Sequence, residues 1–72
     1  MTNRLRVARA EHRLSQMQTA SAAQIGFNRY WRIENGYTDP TPEEREALAQ
    51  ALSATVDQLF PFTPTGNASE VA

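Results

Sequence analysis

The chain has 72 residues, which is enough for one domain but not for a second, catalytic one. It contains no cysteine, which excludes disulfides and thiolate metal sites, and the single histidine, His12, has no obvious ligand partners. No apolar run approaches the roughly 20 residues that span a bilayer, and the N-terminus lacks the apolar stretch of a signal peptide. We therefore expect a cytoplasmic domain that binds no membrane, metal or other cofactor.

The formal net charge of −1 conceals an uneven distribution of charge along the chain. All seven basic residues are arginines, and six of them precede Gly36 together with only two of the eight acidic residues. The first half is therefore basic and the second half acidic. Arginine is suited to bidentate contact with phosphate or guanine, so this asymmetry hints at a nucleic-acid partner.

The first three predicted helices occupy the basic half. Residues at helical spacing indicate a first helix over about residues 2–13. Ser15 and Gln18 have the spacing of a capping box, which predicts that a second helix begins near Gln16. Small residues in this second helix allow close approach of a neighbouring helix. A third helix is expected from Phe27 to about Asn35, capped by Gly26 and ended by Gly36.

Two further helices are predicted after a link that contains two prolines. Thr41 and Glu44 form a second capping box, with Pro42 at the first position of the fourth helix, where its missing N–H costs nothing. Thr55 and Gln58 form a third capping box and introduce a short fifth helix that Pro61 stops. We expect the domain to span residues 1–62 and residues 63–72 to form a disordered tail.

Five short helices with a tight link between the second and the third are typical of a helix-turn-helix fold. That motif needs a small residue where the helices cross, an apolar residue in the turn and apolar inward positions in the third helix. The residues that meet these needs are Ala20, Ile25, Tyr30 and Ile33. The sequence therefore predicts an all-α domain.

The spacing of two short motifs adds a resemblance to a known family. "LSQ" at residues 14–16 is followed after fifteen residues by "RIENG" at residues 32–36, and then by "LAQALSATVDQLF" at residues 48–60. This pattern resembles the Cro and phage-repressor type of helix-turn-helix protein, also called the xenobiotic-response-element family, over about residues 3–61. The resemblance implies a compact, lambda-repressor-like five-helix domain that places its third helix in the major groove of double-stranded DNA.

The resemblance also implies roles for individual residues. Gln16 matches a position that contacts phosphate, and the backbone amides of Asn35 to Thr38, Tyr37 included, match a loop that approaches phosphate. Positions that face base edges are matched by Phe27, Asn28 and Arg32, with Arg29 beside them. Arg32 suits guanine, Asn28 suits adenine, and Phe27 suits a thymine methyl group. Arg9 and Glu34 match an internal salt bridge between helices one and three.

Three positions depart from the family pattern, which commonly has glycine there. They are Arg13, Gln24 and Ser53. If these residues keep a left-handed backbone conformation, each costs about 1 kcal/mol of stability.

Two aromatic residues of the third helix receive different assignments. Tyr30 is expected in the core with its hydroxyl at the surface. For Trp31 three placements stay open: over the DNA backbone, against the fourth helix, or at a subunit interface.

The expected assembly is a homodimer on a palindromic site, because one copy reads only a few base pairs. Leu59, Phe60 and Phe62 would form the interface if they expose apolar area in a monomer, although they would instead close the core if they turn inward.

Three function classes are compatible with these features. The first is a transcriptional regulator, a repressor or autoregulator of prokaryotic or phage origin found in the cytoplasm at the nucleoid. The second is an antitoxin that also binds a protein through its last helix or tail, and the third is a protein-interaction module. We expect no enzyme, since no catalytic constellation is visible.

Overall fold

The computed structural model describes residues 3–61, which form five α-helices and no strand. The helices are α1 (Leu5–Glu11), α2 (Gln16–Ala22), α3 (Phe27–Glu34), α4 (Pro42–Ala51) and α5 (Val56–Leu59). The predicted all-α fold is confirmed. Phe62 and the predicted tail, residues 63–72, lie outside the described residues. None of the helices within residues 3–61 has the length and apolar character required to cross a membrane.

The starts of α2, α4 and α5 follow from local sequence. At α2 the Ser15 hydroxyl accepts the backbone N–H of Gln18 at 2.9 Å, while the Gln18 side chain accepts the backbone N–H of Ser15 at 2.8 Å. The same reciprocal pair forms at the two later capping boxes, Thr41 with Glu44 and Thr55 with Gln58. All three predicted capping boxes are confirmed.

The start of α1 differs from the prediction by about three residues. The helix begins at Leu5, whose backbone N–H donates to the Asn3 side-chain oxygen at 3.0 Å. The Asn3 side-chain amide also donates to the Ile33 carbonyl at 2.8 Å. Asn3 therefore turns the chain into α1 and ties that turn to the end of α3.

The first four helices all end in the same left-handed turn. At the end of α2, the backbone N–H of Gln24 donates to the Ser21 carbonyl and that of Ile25 to the Ala20 carbonyl, which is the Schellman pattern. The residues that adopt positive φ in these four turns are Arg13 (57°), Gln24 (60°), Gly36 (81°) and Ser53 (51°). The left-handed conformation expected at three non-glycine positions is therefore present, and glycine occupies only one turn of the four.

The core lies where α2 packs on α3 and α4, and where α4 packs on α5. All four residues expected inside, Ala20, Ile25, Tyr30 and Ile33, are buried.

The C-terminal end of the described chain closes this core. Leu59 is 1% exposed and Phe60 is 5% exposed, and the backbone N–H of Arg4 donates to the Leu59 carbonyl at 2.8 Å. Of the two placements left open for Leu59 and Phe60, the structure shows closure of the core, because the monomer already buries both side chains. His12, at the C-terminal end of α1, is exposed.

Candidate nucleic-acid interface

Helix α3 has one buried face and one exposed face. Its inward residues are Tyr30, Ile33 and Glu34. Its outward residues are Phe27, Asn28, Trp31 and Arg32. Each residue of an α-helix advances by about 100° around the axis, so these four outward positions form one continuous arc. The face therefore contains all three of the predicted base-contacting residues.

Two side chains on the outward face keep their full hydrogen-bonding capacity. Among residues 3–61, neither the Asn28 amide nor the Arg32 guanidinium has a hydrogen-bond or ion-pair partner. They lie four residues apart and hence on the same side of the helix. Phe27, at the start of α3, is 40% exposed and adds an apolar ring. This face can thus donate hydrogen bonds and make apolar contacts at once.

Arg29, the other arginine of α3, is held by α4. Its Nε and Nη2 atoms lie 2.6 and 2.8 Å from the two carboxylate oxygens of Glu44, and Nη2 lies 3.4 Å from the Asp39 carbonyl oxygen. The hydrogen bond from Arg29 lowers the pKa of Glu44 and raises that of Arg29. Arg29 therefore links α3 to the first turn of α4, whereas the sequence suggested that Arg29 contacts DNA.

The buried end of α3 contains a carboxylate network centred on Glu34. Arg9 binds it bidentately, with Nε 3.0 Å from Oε1 and Nη2 3.1 Å from Oε2. The Tyr30 hydroxyl donates to Oε1 at 2.6 Å, and the Gln16 side chain donates to Oε2 at 3.1 Å. The salt bridge between helices one and three is present in the structure. The Tyr30 hydroxyl, which was expected at the surface, lies within this network.

The pKa values in this network follow from its hydrogen bonds and its burial. Burial alone would raise the pKa of Glu34, but hydrogen bonds from Arg9, Tyr30 and Gln16 outweigh it and lower that pKa. Burial, together with the hydrogen bond to Glu34, raises the pKa of Tyr30. The hydrogen bond to Glu34 raises the pKa of Arg9. The network is therefore a charged carboxylate with a charged guanidinium at neutral pH.

Gln16 connects this network to the surface. One N–H of its side-chain amide donates to Glu34, which leaves the second N–H and the carbonyl oxygen of the partly exposed side chain available. The position of Gln16 is thus fixed relative to α3. A phosphate bound at Gln16 would be held in register with the outward face of that helix.

The loop after α3 differs from what the resemblance implied. The backbone N–H groups of Asn35, Gly36 and Tyr37 donate to the carbonyls of Trp31, Ile33 and Arg32, because the left-handed turn uses them. These three amides are not available to phosphate, whereas within residues 3–61 the Thr38 amide donates to no acceptor. The loop is in addition bound to α1, since the Arg6 guanidinium donates to the Asn35 side chain at 3.1 Å.

Trp31 has a neighbour that the sequence did not predict. Its ring stacks on Tyr37, with ring centroids 5.5 Å apart and an interplanar angle of 23°. The two side chains remain 41% and 71% exposed. The spacing of four residues between Phe27 and Trp31 was a usable signal, because it places both on one helical face. No sequence signal predicted the contact with Tyr37, since that contact depends on the turn at Gly36.

Two helices that pack on each other, α2 and α3, joined by a short left-handed turn and with the outer face of α3 open, define a helix-turn-helix protein. Comparison with known families agrees: a family model described as a helix-turn-helix domain matches residues 1–60. The chain belongs to this helix-turn-helix domain family, and its membership supports DNA binding. No curated protein matches the chain.

Proposed function

We propose that this protein is a transcriptional regulator that binds double-stranded DNA sequence-specifically, with α3 in the major groove. The observation that carries the proposal is the outward face of α3, where Asn28 and Arg32 have no partner within residues 3–61. The neighbouring cations Arg9 and Arg29 are both bound to carboxylates. The side chains that can read bases are thus the ones left free.

Each contact residue has a chemical role in this proposal. Arg32 donates two hydrogen bonds to guanine, Asn28 pairs with adenine, and Phe27 packs on a thymine methyl group. Each good bidentate pair discriminates against the wrong base by about 1–3 kcal/mol. Gln16 donates to a phosphate and sets the depth of α3 in the groove.

The finer parts of the proposal concern assembly and regulation. A Cro-like or xenobiotic-response-element type regulator would act as a repressor or autoregulator in the cytoplasm, as a homodimer on a palindromic operator with half-sites about one helical turn apart. Since Leu59 and Phe60 are buried, the two copies would meet through other residues. The proposal includes no catalytic activity and no cofactor.

Selection of bound sequences from random duplex DNA tests this function directly, because the enriched duplex reveals the operator and any symmetry. Arg32→Ala should then relax discrimination at one base pair, while Gln16→Ala should weaken binding to all sequences alike. Arg4→Ala is a control with the same charge change, since Arg4 is an exposed arginine beside α5. A protein that enriches no sequence and retains no duplex at low salt would refute the regulator and favour a protein-interaction module.

A further inference from the structure

The exposed aromatic pair formed by Trp31 and Tyr37 lies within the proposed interface. Around the α3 axis, Trp31 falls between Phe27 and Arg32, because successive residues advance by about 100°. A surface that contacts DNA at both of these neighbours must also cover Trp31. The position of Tyr37, stacked on Trp31, extends the same surface beyond the end of α3.

The pair is held in place before any ligand arrives. The backbone N–H of Tyr37 donates to the Arg32 carbonyl at 2.8 Å, which closes the left-handed turn at Gly36 and returns Tyr37 to the side of α3. The Asn35 side-chain amide donates to the Trp31 carbonyl at 2.9 Å. These two bonds fix the backbone at both residues, and the stack joins the two rings, which lowers the entropy lost when DNA covers them.

Both rings also carry unused polar groups. Within residues 3–61 neither the Trp31 indole N–H nor the Tyr37 hydroxyl has a hydrogen-bond partner. Each ring thus presents an apolar body and one donor. The outward face of α3 contains one cation, Arg32, and no carboxylate, so its charge favours an anionic ligand.

We propose that Trp31 and Tyr37 form a clamp on the sugar-phosphate backbone of double-stranded DNA, with each ring packed on deoxyribose and each polar group donating to phosphate. This inference rests on the proposed function. The backbone is favoured over a base edge because Tyr37, on which Trp31 stacks, lies outside α3, in the turn that follows its C-terminal end. The clamp sets affinity and register and reads no sequence.

The single tryptophan of the chain makes the test direct, because all indole fluorescence comes from Trp31. The probes are the duplex enriched by selection and a scrambled duplex of equal length, each with a fluorescent label that reports binding by anisotropy. On saturation with the enriched duplex, we expect acrylamide quenching of Trp31 to fall severalfold.

Two conservative variants test the donors. Trp31→Phe and Tyr37→Phe keep an aromatic ring in the stack and remove one donor each, so each should weaken binding by about tenfold on both duplexes. Arg4→Ala should leave the quenching change intact.

The possible failures are distinguishable. If the labelled duplex binds while Trp31 stays as accessible as in the free protein, the clamp is refuted and the proposed function stands. If Trp31→Phe weakens binding to only one of the two duplexes, the residue reads a base and the backbone contact is refuted. If Trp31 becomes protected at high protein concentration without DNA, a second copy of the chain is the occupant. If no duplex binds, the clamp and the proposed function fail together.

Discussion

Gln24→Gly is expected to stabilise the protein, although glycine usually weakens a fold. Gln24 closes α2 with φ of 60°, and its exposed side chain makes no hydrogen bond within residues 3–61. An L-residue in this left-handed conformation costs about 1–2 kcal/mol. Glycine removes that cost, but it loses more conformational entropy on folding, which destabilises the protein by about 0.5–1 kcal/mol. The net gain is about 0.5–1 kcal/mol, or several degrees of melting temperature for a domain of this size.

The same argument applies to Arg13 and Ser53, which have φ of 57° and 51° in equivalent turns. Because the three turns close different helices and share no hydrogen-bond partner, their effects should add. The triple glycine variant should gain about 1.5–3 kcal/mol in the free energy of unfolding. Urea unfolding followed by circular dichroism measures this gain.

Two control variants make opposite substitutions, glycine to alanine at a left-handed position and alanine to glycine inside a helix. Gly36→Ala places a side chain at φ of 81° and should destabilise the protein by about 1 kcal/mol. Ala10→Gly, at an exposed position inside α1, should also destabilise it by about 1 kcal/mol. If Gln24→Gly destabilises the protein as much as Ala10→Gly does, the left-handed residues store no strain and the argument is refuted.

Three further predictions concern charge and recognition. Glu44→Gln keeps the capping geometry and releases Arg29. Binding to any duplex should therefore tighten at low salt, and the salt dependence of binding should steepen by about one phosphate contact. An unchanged slope would show that Arg29 cannot reach DNA. Glu34→Gln should lower the free energy of unfolding by about 3 kcal/mol at pH 7, because it leaves Arg9 unpaired. The pKa of Glu34 is lower in the folded than in the unfolded protein. Its contribution to stability is therefore complete above the unfolded-state pKa of about 4.3 and disappears as the pH falls through the folded-state pKa. Urea titrations of the wild type and of Glu34→Gln should accordingly converge in acid. Replacing thymine by deoxyuridine in the enriched duplex should weaken binding of the wild type but not of Phe27→Ala, whereas equal losses would exclude a methyl contact.

Local signals predicted most of the helix boundaries. The three capping boxes join residues three apart, so their chemistry is complete within one turn and the starts of α2, α4 and α5 follow from it. The predicted start of α1 was wrong because the Asn3 side chain, which accepts from the Leu5 amide, is itself held by a distant contact, its hydrogen bond to the Ile33 carbonyl.

The candidate site was predictable only as far as helical phase determines it. The spacing of Phe27, Asn28 and Arg32 suffices to place them on one face. The sequence could not show that Arg29 is bound, because Glu44 lies fifteen residues away across a link whose path depends on the packing of α4. It likewise could not decide between the two fates of Leu59 and Phe60, since an apolar residue suits a core and an interface equally well.

The charges that this protein can offer to DNA depend as much on its glutamates as on its arginines. Arg29 and Arg32 are three residues apart on one helix, yet the first is bound bidentately and the second has no partner within residues 3–61. Glu34 similarly occupies Arg9. A carboxylate that binds an arginine cancels its field at distances beyond the pair, so such an arginine adds little to phosphate attraction. The basic first half of the chain therefore overstates the electrostatic contribution of α3, so the proposed selectivity rests on Phe27, Asn28 and Arg32.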